Sequence, residues 1–256
     1  MCHCLLIRIS LRNSLIRTAI IRGLSTSSSV DHKIQCFFEN GARDSLEKQC
    51  KMLLSDPTLQ RIQRSARVTK KCAGALVPIC IVEERPSLLF TVRSHHLPNH
   101  RGEISFPGGM KNDQDLSIEA AALREAEEEL ALDRNSIRIL SSLGPFLNRK
   151  ATINITAVFG YVGDIDVSKL KFSDNEVTEA FTVPIADLLL DGNNRYTIFR
   201  NGWKLPVFLA KQYHIWGITA SITDTLLSMI THINYERKFT FLRNNIQNSF
   251  CEVKSS

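Results

Sequence analysis

Four glutamates fall within five positions near the middle of the chain, at Glu125, Glu127, Glu128 and Glu129. In a helix, residues three and four apart share a face, so Glu125, Glu128 and Glu129 span an arc of about 100° while Glu127 points away. Carboxylates so placed repel one another, and crowding them into a cleft returns protons to them. A divalent cation removes the conflict. Hard oxygen donors on a helix suit Mg²⁺ or Mn²⁺, which keep part of their water and take substrate phosphates as remaining ligands. Arg124 adjoins the cluster and can hold one carboxylate in a single rotamer. A solvated acidic face is the ordinary fate of a Glu-rich helix. Here, however, Phe106-Pro107-Gly108-Gly109 stands before the helix, a corner in which glycine lets backbone approach a ligand.

The run GGMKNDQDLSIEAAALREAEEELAL, Gly108 to Leu132, closely resembles the Nudix box: a glycine, a spacer with an acid, then Arg-Glu, an apolar residue, any residue and Glu-Glu. By that resemblance Arg124, Glu125, Glu128 and Glu129 take the box's positions. It implies that Glu125 and Glu129 ligate Mg²⁺ or Mn²⁺ directly, that Glu128 completes the metal set or acts as base, and that Gly108 and Gly109 face the diphosphate. The spacing from Gly109 to Arg124 is one residue longer than the general box, which leaves Asp115 nearest to the box's first glutamate. Ala131 stands where glycine is usual.

Upstream, LLFTVRSHHLPNHRGEISFPGG, Leu88 to Gly109, resembles the signature of Nudix coenzyme A diphosphatases at Thr91, Arg93, Ser94, Gly102 and Phe106. Pro98 replaces that signature's second arginine, with His100 and Arg101 nearby. The resemblance implies substrate contacts from Arg93, Ser94 and Arg101, since arginine offers permanent, bidentate charge to phosphate. Downstream, KATINITAVFGYV, NEVTEAFTVPIADLL and LPVFLAKQYHIWGITASITDTL resemble the later part of the mitochondrial-type members, so the likeness spans residues 68 to 230.

The activity implied is metal-dependent cleavage of the diphosphate of coenzyme A, or of acyl-coenzyme A, to 3′,5′-ADP and 4′-phosphopantetheine. A water acidified by the ions loses its proton to a carboxylate, for which Glu128 competes with Glu176 and Glu179, and attacks in line. Ser94 lacks a Gly-x-Ser-x-Gly elbow, against a serine hydrolase. The alternatives are a Nudix hydrolase for ADP-ribose, a nucleoside diphosphate sugar or an oxidised nucleotide, a catalytically silent nucleotide-binding module, and an acidic helix that docks a protein.

These residues need elements to hold them. Cys72–Val82 and Ser87–Ser94 are short β-rich runs, and Leu116–Leu130 has helical composition and length. Ile137–Leu143, Ile153–Val162, Val177–Val183, Tyr196–Arg200 and Leu205–Leu209 are further strands; Ile185–Leu190 is a short helix and Ile218–Ile230 a longer one. His214 and Trp216 fall at a strand-to-helix junction, where a structural histidine and a packed tryptophan are expected. Without steady βαβ alternation the fold class is α+β, a mixed α/β/α sandwich, and the resemblance implies a Nudix fold with a central mixed sheet flanked by helices and a loop-helix-loop box.

Length and composition allow one core. The chain has 256 residues, 43% of them hydrophobic, enough for a single catalytic domain with an extension. Residues 1–30 contain four arginines and no acid, so of the formal charge of +6 only +2 belongs to the remainder. The folded part thus lacks the concentrated basic charge of a nucleic-acid binder. Those 30 residues are rich in Arg, Ser, Leu and Ile, the composition of a mitochondrial transit peptide, which predicts a matrix location. Their apolar runs are too short for a secretory signal or a membrane span, which needs about 20 residues. The internal Ser168-Lys169-Leu170 is not a terminal address. Seven cysteines without a Cys-x-x-Cys pair predict neither disulfides nor zinc.

The organisation expected is therefore a leader over 1–30 and a helical segment over 31–66, with Asp44–Ser65 broken at Pro57. The Nudix domain follows over 67–235 and a tail over 236–256. The expected partner is a small molecule, coenzyme A or a derivative, with neither nucleic acid nor membrane; oligomeric state is not legible.

Overall fold

In the computed structural model, residues 27–40, 42–54, 71–147, 152–198, 204–231 and 240–241 are described. The expected leader up to residue 26, the break at Pro57 and nearly all of the C-terminal tail lie outside them.

The sheet follows from period-two patterning. In β1 (Cys72–Val82) Leu76 and Cys80 face one side while Val77 and Ile79 face the other, and in β2 (Arg85–Arg93) Leu89 opposes Leu88 and Phe90. Both faces are covered, so these strands read as continuous apolar runs. The further strands are β3 (Ile104–Ser105), β4 (Gly108–Met110), β5 (Arg138–Leu147), β6 (Asn154–Asp164) and β7 (Val177–Pro184). The main sheet runs β3-β2-β1-β6-β5, with β4 paired to β1 and β7 to β2. β1 and β6 are parallel and the other pairs antiparallel, a mixed sheet.

The described residues form five α-helices: α1 (Ser27–Asn40), α2 (Ala42–Leu54), α3 (Ile118–Leu130), α4 (Ile185–Leu188) and α5 (Gly217–Thr231). One face of the sheet buries Ala122, Ala126 and Leu130 of α3 against Leu76, Leu89 and Val158. On the other face Ile34 and Phe38 of α1, Leu46 of α2 and Leu226 of α5 close over Ile79, Phe90 and Phe159. The result is the expected α+β sandwich. A second sheet, β10-β9-β8-β11, is formed by β8 (Asn194–Ile198), β9 (Lys204–Ala210), β10 (Tyr213–Ile215) and β11 (Thr240–Phe241).

Several boundaries differ from the sequence expectations. Helix α1 begins at Ser27, inside the stretch assigned to the leader, and is tied to the sheet: Arg85 Nε donates to Asp31 at 2.9 Å and Arg85 Nη2 to Asp187 at 2.8 Å. Strand β8 is described over Asn194–Ile198, the last two residues of the expected strand lying outside the described residues, and α3 starts two residues later than Leu116, which is fully exposed. His214 is exposed on β10 and Trp216 only half-buried, so neither is a sealed core residue. Among the described residues no helix is long and apolar enough to cross a membrane.

Candidate active site

Helix α3 brings the acidic cluster against the sheet because its inner face is small. Ala121, Ala122 and Ala126 are fully buried, and at Gly74 of β1 an added Cβ would stand 2.5 Å from the Ile118 carbonyl. The helix starts where the Ser117 hydroxyl accepts the Ala120 N–H at 3.1 Å. It ends at Ala131 in the left-handed region (φ 53°), whose N–H donates to the Glu127 carbonyl. That conformation is why glycine is usual at this position of the box.

The corner before α3 is fixed from both sides. Phe106 is buried and stacks on Phe90 with centroids 4.9 Å apart. Leu76 N–H donates to the Pro107 carbonyl at 2.9 Å, and Gly108 and Gly109 pair with Ala75 and Gly74. Gly109 then lies flat beneath Glu125: an added Cβ would meet that carboxylate at 2.4 to 2.8 Å.

Three carboxylates converge here, Glu125, Glu129 and Glu176, with an oxygen of each within 4.8 Å of the others. The Glu125 side chain is only 16% exposed and Glu129 is buried, whereas Glu176 is the most open of the three. Burial pushes the Glu129 carboxyl up to about 8; Arg93 opposes that rise, Glu125 and Glu176 add to it, and the Gly108 N–H hydrogen bond opposes it. Burial raises Glu125 as well, against the adjacent Arg124. Arg93, at the end of β2, has a buried Nε with no hydrogen-bond partner. Glu176 is delivered by the turn that opens β7, where Ser173 N–H donates to the Glu129 carbonyl at 3.1 Å and Ser94 N–H to the Glu176 carbonyl at 2.9 Å.

Arg124 binds the loop to the helix. Its Nε and Nη2 grip Asp115 at 3.0 and 3.1 Å, Nη2 also reaches the Met110 carbonyl at 3.2 Å, and Nη1 meets Glu125 at 3.0 Å and Glu128 at 2.8 Å. These contacts hold Asp115 below the usual carboxylate range, through the arginine hydrogen bond first. They also raise Arg124 itself, chiefly through Asp115. The guanidinium is consumed by the protein.

The donor set fits a hard divalent cation. It is all oxygen, gathered on one small face, and the Glu129 carboxyl, pushed up to about 8 by burial first and also by Glu125 and Glu176, is a group that a bound cation would favour in its charged form. Glu125, Glu129 and Glu176 are the residues that would hold the ion.

The NUDIX domain family model matches residues 72–201. The chain belongs to the Nudix family. Its curated relatives include mouse "Mitochondrial coenzyme A diphosphatase NUDT8", 38% identical over 190 residues, covering 72% of this chain and 87% of that protein. The human protein of the same name is 36% identical over 202 residues, covering 77% and 83%. "Uncharacterized Nudix hydrolase NudL" of Escherichia coli O7:K1 is 38% identical over 162 residues, covering 62% of this chain and 82% of its own length.

Within this Nudix fold the residues singled out from the sequence do not all meet. Glu125, Glu129, Gly108, Gly109 and Arg93 come together. Glu128 stands outside the group of three: its side chain is 54% exposed and turned to Arg124, whose cationic fork draws it along the helix surface. Arg124 and Ser94 face the protein, Ser94 being 1% exposed with its hydroxyl donating to the Asp174 carbonyl at 3.1 Å. Arg101 is exposed with Nε directed to the Leu97 carbonyl of its own loop, and neighbouring His100 pairs with Glu103 at 2.8 Å. Glu179 receives the Tyr213 hydroxyl and is not one of the three converging carboxylates. Asp115, noted only as the nearest acid to a missing box position, is the residue that anchors Arg124.

Proposed function

We propose that this Nudix pyrophosphohydrolase cleaves the diphosphate of coenzyme A to 3′,5′-ADP and 4′-phosphopantetheine, using Mg²⁺ or Mn²⁺. The observation that carries the chemistry is the convergence of Glu125, Glu129 and Glu176 beside the Gly108-Gly109 backbone. A divalent ion held there would offset the diphosphate's charge and make an attacking water more acidic. The chain's own groups do the rest. Arg93, with a buried guanidinium nitrogen free to donate, is the phosphate contact at the strand end. Glu128, adjacent to the three carboxylates, exposed and steadied by Arg124, takes the proton of the water. Arg124 and Asp115 keep the glycine corner and helix in one arrangement, so the reacting groups are oriented before substrate arrives.

The substrate assignment is supported by the relatives named coenzyme A diphosphatase and by the Thr91-x-Arg93-Ser94 run that precedes the box. Comparing metal-dependent rates on coenzyme A, acyl-coenzyme A, ADP-ribose and nucleoside triphosphates tests it. Coenzyme A or its acyl form should lead by at least an order of magnitude; preferential cleavage of ADP-ribose or a triphosphate overturns the substrate and leaves the chemistry. The mitochondrial matrix is the proposed location, supported by the acid-free, arginine-rich first 30 residues and by the relatives' names. Residues 1–30 fused to a fluorescent reporter should enter the matrix, and a diffuse cytosolic signal refutes this.

A further inference from the structure

Resting on the reading of Glu176 as a third ion-holding carboxylate, we infer that Ser94 is a positioning residue for Glu176 rather than a contact for the substrate. Glu176 differs from its two partners. Glu125 and Glu129 are set one helical turn apart on α3, whereas Glu176 closes the turn before β7, whose first residue, Val177, pairs with Arg93 of β2.

The turn has two anchors. On the helix side, Ser173 N–H donates to the Glu129 carbonyl at 3.1 Å, and Glu176 N–H closes the turn on the Ser173 carbonyl at 2.8 Å. On the strand side stands Ser94, one residue beyond β2 and 1% exposed. Its N–H donates to the Glu176 carbonyl at 2.9 Å, its hydroxyl donates to the Asp174 carbonyl at 3.1 Å, and the same oxygen accepts the His96 N–H at 3.3 Å. A serine hydroxyl has one proton to give. That proton is committed to the turn, so Ser94 has no donor left for a phosphate. Its buried position turns the motif serine toward Glu176 and the loop that follows β2.

Ser94→Ala keeps the backbone bond to Glu176 and deletes both hydroxyl bonds. The Asp174 carbonyl loses its partner and the turn loosens on the side away from α3. Loss of a group that orients a metal ligand typically weakens metal binding about 10- to 100-fold; the lower end applies here because one anchor and the backbone bond remain.

The test uses the full chain and Mn²⁺ alone, with no substrate. Free Mn²⁺ is followed by electron paramagnetic resonance during titration of wild type, Ser94→Ala, Glu176→Gln and the double variant, with thermal unfolding measured alongside. Ser94→Ala is expected to bind Mn²⁺ about tenfold more weakly than wild type, and to add nothing further in the Glu176→Gln background. Wild-type affinity in Ser94→Ala overturns the inference, and so does an equal loss in both backgrounds, which means that the serine acts elsewhere. Ser94→Thr, which retains the hydroxyl, covers the case in which alanine unfolds the chain. It should bind near the wild-type affinity, and a folded Ser94→Thr that is as weak as Glu176→Gln rejects the hydroxyl as the anchor. Failure of wild type itself to bind Mn²⁺ is a different result: it removes the ion-holding reading, and the inference with it, before any variants are compared.

Discussion

Gly109→Ala isolates the site from the fold. The position has no left-handed backbone requirement, so alanine is conformationally acceptable. What it lacks is room: the new Cβ would sit 2.4 Å from Oε1, 2.5 Å from Cδ and 2.8 Å from Oε2 of Glu125. Ordinary carbon contacts need about 3.5 Å, so the carboxylate must withdraw by about 1 Å. The obstacle is the end of a flexible side chain, and the helix need not move. The entire displacement therefore falls on one of the three converging carboxylates. A misplacement of about 1 Å at a reacting centre can cost about 100-fold in rate, equivalent to about 2.7 kcal/mol of transition-state stabilisation. The assay is kcat/KM for coenzyme A with saturating Mn²⁺, together with thermal unfolding of the metal-free protein. Activity should fall about 100-fold while the unfolding temperature stays near wild type. Activity within twofold of wild type, or a collapse of stability that explains the loss, refutes the reasoning.

Ala131→Gly should stabilise the chain by about 1 kcal/mol, a rise of about 2–4 °C in Tm, because φ 53° strains alanine and suits glycine; activity should not change. Arg124→Lys should lower kcat/KM by about 10- to 100-fold despite the kept charge, since one ammonium cannot span Asp115, Met110, Glu125 and Glu128; near-normal kinetics contradict this. Glu129, raised by burial from the ordinary 4.5 to about 8, retains in the folded state a proton that the unfolded chain gives up between those values. Glu129's contribution to the stability of the metal-free protein is therefore lost as pH rises from about 4.5 to about 8, the reverse of an ion-paired acid. Glu129→Gln should flatten that slope in pH-dependent denaturant melts, and an unchanged slope assigns it to another group. Glu128→Gln should lower kcat and leave Mn²⁺ affinity intact, whereas loss of affinity would make Glu128 a ligand instead of a base.

Much of the fold is legible because local pattern and tertiary need agree. The runs Cys72–Val82 and Ser87–Ser94 are apolar on both faces, as strands covered on both sides must be, and the alanine-rich side of α3 signals a helix that packs closely. The resemblance puts Gly109 and Glu125 in one box, but only the structure brings them into contact. Helix α1 is harder to see. Its serine-rich start reads as part of the leader, and what fixes the helix is distant: Asp31 meets Arg85, and Ile34 and Phe38 enter the core. Strand β4 is three residues long and defined by backbone pairing with Gly74 and Ala75, which leaves no side-chain pattern. The third carboxylate illustrates the same limit. Helical spacing nominates Glu128 alongside Glu125 and Glu129, but Arg124 one turn earlier claims its carboxylate, while Glu176 arrives across 47 sequence positions from Glu129 on a turn anchored by hydrogen bonds.

The most direct measurement is anomalous diffraction from crystals of the chain soaked with Mn²⁺ and a non-hydrolysable diphosphate analogue of coenzyme A. A manganese peak ligated by Glu125, Glu129 and Glu176, with the diphosphate on its far side and Arg93 turned to a phosphate oxygen, is the result predicted. Manganese bound elsewhere, or an acidic group that stays empty at saturating ion, contradicts it.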